Sequence, residues 1–278
     1  MMVNIRSMML LLVLSVLSGC SLLPKEEDKT KDWSAQQFYS EASFAMSDGD
    51  YETAIKYYEG LESRFPFGRF AMQAQLDVAY AYYKNDERES SIAAADRFIK
   101  LHPRNPYVDY AYYLKGLVNF TRNLTFINRF VPTDSSQRDP GSTLDAFIDF
   151  AELVRRFPES KYATDARKRM VYLRNNLARN EIHVARYYMK RGAYLAAVNR
   201  GITVVEKYQR TPSVKEAMTI MVTAYDKLGL KQLSTDTQRV LALNEAKGTF
   251  TQSIEEAQAD EDKSLGRAVW DYLELDKN

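Results

Sequence analysis

The sequence predicts an all-α protein: a solenoid of about five helix pairs, with an insertion in the third pair and one long central helix. Three observations carry this. Helix breakers are few, 11 Gly and 8 Pro in 278 residues, while 45% of the residues are apolar. A pattern of small residue, large apolar residue and terminal proline recurs every 37 residues. A run without Gly or Pro, Ser160 to Arg191, repeats apolar residues at helical spacing. Such a composition suits a mostly helical chain with core for one or two domains.

The first stretch is a leader and a tether. Arg6 precedes an apolar run from Met8 to Leu17, and Leu17-Ser18-Gly19-Cys20 closes it. A basic start, about ten apolar residues and then small residues have the anatomy of a secretory signal, too short to span a bilayer as a helix. Leu-Ser-Gly-Cys resembles the lipobox of bacterial lipoproteins. That resemblance implies cleavage of residues 1–19 and lipidation of Cys20, the only cysteine. Several acyl chains on one residue suffice for stable anchoring. Ser21 in place of Asp favours the outer membrane over the inner. Residues 20–33, polar and charged, read as the lipidated tether.

The repeats follow, residues 34–159 as three N-terminal units and 160–247 as two C-terminal ones. Asp48-Gly49-Asp50-Tyr51 breaks one helix, and the next runs through Ala54, Tyr58 and Leu61 to Phe65-Pro66. Ser91, Ala95, Phe98 and Pro103 stand 37 residues later in the same relation. Ala42, Ala79 and Gly116 match in units one to three, and Ala185 and Tyr188 match Val222 and Tyr225. Gly192-Ala193-Tyr194 and Leu228-Gly229-Leu230 occupy one inter-helix turn. Small residues at a helix crossing allow close approach, and proline stops the second helix so that the chain reverses. The pattern resembles the tetratricopeptide repeat, whose helix pairs must stack to bury their apolar faces.

Two places depart from the period. An insertion, roughly 123–142, carries Phe126, Ile127, Phe130 and Val131 and then a polar half. Its aromatic half is expected to pack back on the solenoid. The Gly- and Pro-free run reads as one helix about two turns longer than its counterparts, joining the two halves. Residues 248–278 form an acidic tail, expected to be mobile, although Leu265, Val269, Trp270 and Leu273 have helical spacing.

Catalytic constellations are thin, so the chain reads as a non-enzyme. Arg6 is the only charge of the first 19 residues; its loss leaves the basic residues equal in number to the 37 acidic ones. That balance argues against nucleic acid as a partner. With Cys20 acylated no thiol remains for a disulfide, a zinc site or a nucleophile. His102 and His183 lack metal-ligand spacing, and no Gly-rich phosphate loop or nucleophile elbow appears. The expectation is no metal and no cofactor beyond the lipid on Cys20.

A binding surface is better supported. In the repeat architecture the first helices of the pairs line the concave face. Projection places Tyr39, Gln73, Leu76, Tyr80, Tyr83, Tyr110, Tyr113 and Leu117 near that groove. Tyrosines offer broad apolar area with a polar tip and few torsions to freeze, which suits an extended peptide with aromatic side chains. The same tyrosines could instead fill the inter-repeat core. Around the long helix, Arg155, Arg156, Lys161, Arg167, Lys168, Arg169, Arg174 and Arg179 form a basic region, either a solvated face or a surface for an acidic partner.

Ordered blocks carry a closer resemblance. Phe65-Pro66-Phe67-Gly68, Gln73-Ala74-Gln75-Leu76, Arg97 to Pro103 and Val108 to Gly116 are followed by Arg138-Asp139-Pro140-Gly141, Arg156-Phe157-Pro158, Tyr162 to Ala166, Arg169 to Asn175 and Val198-Asn199-Arg200. With the lipobox, insertion and long helix, they resemble the BamD family, lipoproteins of the outer-membrane β-barrel assembly machinery, over about residues 17–245. The resemblance implies an adaptor on the periplasmic face of the outer membrane. Its C-terminal half would bind a POTRA domain of BamA, with Arg200, and with Arg174 and Arg169, at partner contacts. Its N-terminal units would receive unfolded outer-membrane proteins, and BamC and other assembly lipoproteins would be further partners. The competing readings are a repeat lipoprotein scaffold for pilus assembly or cell-wall coordination, and a murein hydrolase; for the latter, about 30 residues after the repeats are too few for a catalytic domain.

Overall fold

The computed structural model describes residues 29–121, 136 and 140–250. The leader, Cys20, most of the tether and of the insertion, and the tail from 251 lie outside the described residues. Within them are ten helices and no strand. These are α1 (Ala35–Asp48), α2 (Tyr51–Arg64), α3 (Arg69–Lys84), α4 (Arg88–Leu101), α5 (Val108–Thr121), α6 (Gly141–Arg156), α7 (Ala163–Lys190), α8 (Tyr194–Lys207), α9 (Ser213–Lys227) and α10 (Lys231–Ala246). They make the five expected pairs. Each helix packs on the next, and the first helices of successive pairs also meet, α1 on α3, α3 on α5 and α7 on α9.

The turn inside a pair is one structure used four times. Gly49, Asp86, Gly192 and Gly229 adopt left-handed φ of 80°, 61°, 73° and 74°. The N–H of the following residue then reaches back across the helix end: Asp50 to Ala45, Glu87 to Tyr82, Ala193 to Tyr188 and Leu230 to Tyr225, at 2.9–3.0 Å. This closure satisfies terminal carbonyls that would otherwise be left without donors. Asp50 then starts α2 by accepting the Thr53 N–H at 3.1 Å, and the Thr53 side chain and N–H together hold its carboxyl below the usual range. The second helices end on a ring: Phe65, His102, Phe157 and Tyr208 donate their N–H to Leu61, Phe98, Leu153 and Val204. Pro66, Pro103 and Pro158 follow in the first three pairs and cannot continue the helix.

Close crossings need the small residues. Ala42 and Ala79 are fully buried. A Cβ on Gly116 would run into the Phe150 ring of α6, and one on Gly201 would sit 2.5 Å from Met221 Cγ of α9. Around these crossings Leu61, Phe98, Leu114, Phe150 and Leu153 lose essentially all contact with water. Each such side chain contributes about 1.5–3 kcal/mol. One large apolar cluster runs from Phe38 to Leu173, and two small ones involve Ile182 to Tyr225. Helix α7, with 28 residues, supplies Ala166 and Leu173 to the first and Ile182 to the last.

Two boundaries differ from expectation. Ser160 to Tyr162 form a turn before α7: the Ser160 N–H bonds Phe157, and its hydroxyl donates to Asp109 at 2.7 Å. A serine that can bond elsewhere competes with the helix, so α7 begins at Ala163. Gly141 and Ser142, placed in the insertion, are the first turn of α6.

Candidate peptide-binding face and partner contacts

Helices α1, α3 and α5 carry the sequence-selected tyrosines. The i, i+4 spacing of Gln73 and Asp77 on α3 puts both beside Tyr39 of α1. The Tyr39 hydroxyl donates to Asp77 Oδ2 at 2.8 Å and the Gln73 amide to Oδ1 at 2.9 Å. Burial pushes the Asp77 carboxyl up, against the pull of these two donors. Burial, and then the Asp77 charge, pushes the Tyr39 phenol above its ordinary value. Its ring leans on Phe70 and Tyr58, with centroids at 5.6 and 6.0 Å.

Further along, Tyr80 and Tyr83 of α3 meet at 6.2 Å. Tyr110 of α5 packs at 5.5 Å from Tyr162, and burial raises its phenol well above the ordinary range. Tyr113 stacks on Tyr162 at 4.7 Å and 16° and donates to Asp165 Oδ2 at 2.7 Å. The structure thus gathers Tyr39 with Gln73 around the Asp77 carboxylate, and Tyr110 with Tyr113 around the Tyr162 ring. Leu117 is half-buried beside them. Leu76 does not belong to this face: at 3% exposure it fills the core, because the next position around α3 from the Gln73–Asp77 row points inward. Asp77 and Tyr162 were not singled out for the face from sequence. A carboxylate at i+4 from Gln73 and one residue on from Leu76 was the available signal for Asp77.

The arginines divide. Arg169 is 2% exposed, with Nε 2.5 Å from Asp165 Oδ2 and its guanidinium 4.8 Å above the Phe120 ring. That burial makes it part of the fold and corrects its placing at a partner contact. Arg174 is half-buried on α7. Arg200 on α8 reaches Glu181 of α7 at 3.1 Å and keeps 42% of its side chain exposed. Other cations of the basic region are engaged locally: Arg155 and Arg156 on Glu152, Arg167 on the Pro158 carbonyl, Arg179 on Asn176 and Lys161 over the Tyr162 ring.

Both histidines make local side-chain hydrogen bonds. His102 Nε2 bonds Gln75 Oε1 at 2.8 Å, and His183 Nε2 bonds Ser136 Oγ at 3.0 Å. Ser136 is a buried residue of the insertion, and its carbonyl also accepts from Asn180 at 2.8 Å, so this one residue of the insertion touches α7. Among the described residues no group of three His, Cys, Asp or Glu could hold a metal, and no helix is long and apolar enough to cross a membrane.

Comparison with known proteins follows the same boundaries. The family model of the outer membrane lipoprotein YfiO matches residues 31–241, α1 into α10. Outer membrane protein assembly factor BamD of Neisseria meningitidis serogroup A is 49% identical over 239 residues, 86% of this chain and 90% of its own length. The protein of that description from Vibrio cholerae is 38% identical over 84% of this chain and 96% of its own length. That from Xylella fastidiosa Temecula1 is 33% identical over 84% and 80%. A family match across the repeats, with identity at this level over four fifths or more of each relative, makes the chain a member of the YfiO family of outer membrane lipoproteins, the family of the assembly factors BamD.

Proposed function

We propose that this chain is a non-catalytic adaptor in outer-membrane β-barrel assembly. In this reading a lipid on Cys20 holds it to the periplasmic face of the outer membrane. The pairs α7 to α10 bind a POTRA domain of BamA, with Arg200 at the contact, and BamC and other assembly lipoproteins join the complex. The pairs α1 to α6 receive unfolded outer-membrane proteins through an extended, aromatic-ended segment. The observation that carries the client role is the run of half-buried phenols from Tyr39 to Tyr113 on successive first helices. Rings that expose one face and anchor a hydroxyl are already ordered, so little entropy is lost when a peptide's aromatic side chain packs on them.

The test is an affinity pull-down of the tagged protein after detergent solubilisation, with partners identified by mass spectrometry. Stoichiometric recovery of a barrel protein with repeated periplasmic domains is the expected result. Its absence, with a pilus or cell-wall protein in its place, would transfer the chain to the scaffold reading.

A further inference from the structure

One edge of the solenoid is unlike the rest. The described chain starts there: the Thr30 carbonyl accepts from Arg64 Nη1 at 2.5 Å, and Trp33 packs on Phe38 and Tyr57 at 5.2 and 5.0 Å. The α2–α3 turn lies at this edge, since Phe67 is three residues beyond Arg64 and so within about 11 Å of it along the chain. The α4–α5 turn adjoins it, because His102 and Asn105 bond Gln75 and Met72 in the first half of α3. On these two turns Phe67 is 90% exposed, Tyr107 56% and Leu101 55%. Arg69, Lys100 and Arg104 stand exposed among them. Gly68, at φ 104°, shapes the turn that carries Phe67 outward. The exposed acids of this edge, Asp32 and Glu159, lie toward its two ends.

We infer that this edge, with Phe67, Tyr107, Leu101, Arg69, Lys100 and Arg104, docks on the surface of an anionic phospholipid bilayer. The inference rests on the lipid-anchored reading above for its geometry. Ten residues separate Cys20 from Thr30, a reach of at most about 35 Å. A lipid on Cys20 therefore keeps this edge, where the tether enters the fold, within that reach of the headgroups, while the opposite ends of the helices lie a helix length farther along the chain path, about 21 Å for 14 residues. Exposed rings set among cations are the composition that partitions into an interface: apolar bodies enter the acyl boundary, and Lys and Arg stay with the phosphates. The anchor supplies the encounter and the patch sets the orientation. The tyrosine-bearing first helices would then stand at a fixed angle to the bilayer instead of swinging on the tether.

The test uses the unacylated chain from residue 20 with Cys20→Ser, which retains every described residue. Its flotation is measured with vesicles of phosphatidylethanolamine and phosphatidylglycerol, and with phosphatidylcholine alone. Binding to the anionic vesicles at low salt is expected, weakening by about fivefold for each cation removed. Phe67→Ser with Arg104→Glu should lower the partition at least tenfold at an unchanged melting temperature, both sites being exposed. No binding of the parent chain, or equal binding of the variant, overturns the proposal. A variant that floats normally and loses an aromatic-ended client peptide also overturns it, and gives the patch to the client. Failure of the anchor reading shows separately, as soluble fractionation of the acylated protein in cells.

Discussion

Arg169 and Asp165 form an ion pair inside the fold, one turn apart at the start of α7, with the arginine 2% exposed. The same carboxylate oxygen takes the Tyr113 hydroxyl of α5, and the guanidinium covers Phe120 of the same helix. The pair therefore fixes the long helix onto the third repeat. Two charges are removed from water here, so the pair adds little over an apolar substitute, while losing one partner leaves the other charged and buried. Arg169→Ala is expected to destabilise by about 3–5 kcal/mol, read as a fall in denaturant midpoint. Replacing both residues by Leu and Met should recover much of that loss.

Gly116 gives a second prediction. Its missing Cβ is occupied by the Phe150 ring, which is fully buried and has no room to swing. Gly116→Ala is expected to cost about 1–3 kcal/mol from overpacking, only partly offset by the better helix propensity of Ala. Gly201→Ala brings its Cβ to 2.5 Å from Met221 Cγ and 3.2 Å from the Ala217 carbonyl oxygen, atoms on or next to the α9 backbone. It should lose stability comparably, and thermal melts of the two variants measure both.

The repeat was legible because its determinants are local and periodic. Small residues at crossings and prolines at helix ends are written in the chain at fixed spacing, and the structure uses Gly116, Pro66 and Pro103 for those purposes. The candidate face was legible only in outline. Projection places a residue on a helix to within about a quarter turn, which separates Tyr80 from solvent but not Leu76 from the core. Whether an arginine is a surface group or a buried one depends on what stands across from it. Arg169 reads like its neighbours, the exposed Arg167 and half-buried Lys168, until Asp165, Tyr113 and Phe120 converge on it. The seat of Ser136 on Asn180 and His183 is a contact between residues more than forty positions apart, with no sequence pattern to announce it.

The left-handed turn position predicts opposite effects for two substitutions. Asp86 holds φ 61° where three other pairs use glycine, and its carboxylate meets Arg88 at 2.8 Å on the exposed side. Asp86→Gly removes backbone strain and a surface ion pair worth little, so stability should hold or rise by up to about 1 kcal/mol. Gly192→Ala puts a Cβ into the unfavourable region and should lose about 1–2 kcal/mol. Chemical denaturation of each variant decides.

Alkaline pH should unfold the N-terminal pairs. Burial raises the phenols of Tyr39, Tyr82 and Tyr110, and pushes Tyr58 up to about 12. Their ordinary value is 10.0. Above it the unfolded chain loses these protons while the folded chain keeps them, so the folded state binds more protons and stability falls as pH rises. Below 10 these groups make no difference. The denaturant midpoint should be flat up to about pH 10 and drop between there and about 12. The share of phenolate absorbance that comes from these four rings should rise together with unfolding, not before it. Tyr39→Phe should blunt the drop.

Arg200 and Glu181 tie α8 to α7, and this pairing shapes the test of the partner contact. Glu181 is the more buried member, at 16% exposure against 42%. Arg200→Glu would remove a cation offered to a partner and also set like charges together inside the protein. At this exposure the expected loss of affinity for the BamA POTRA domain is about 2 kcal/mol, the low end for an interfacial pair. Glu181→Gln separates the two causes. It keeps the arginine and removes the local charge, so a real partner contact predicts affinity close to the unsubstituted protein. If Glu181→Gln loses as much as Arg200→Glu, the effect comes from loosening α8 on α7, and Arg200 has no place at the interface. Titration of both variants against the isolated POTRA domain, beside their melting temperatures, distinguishes these outcomes.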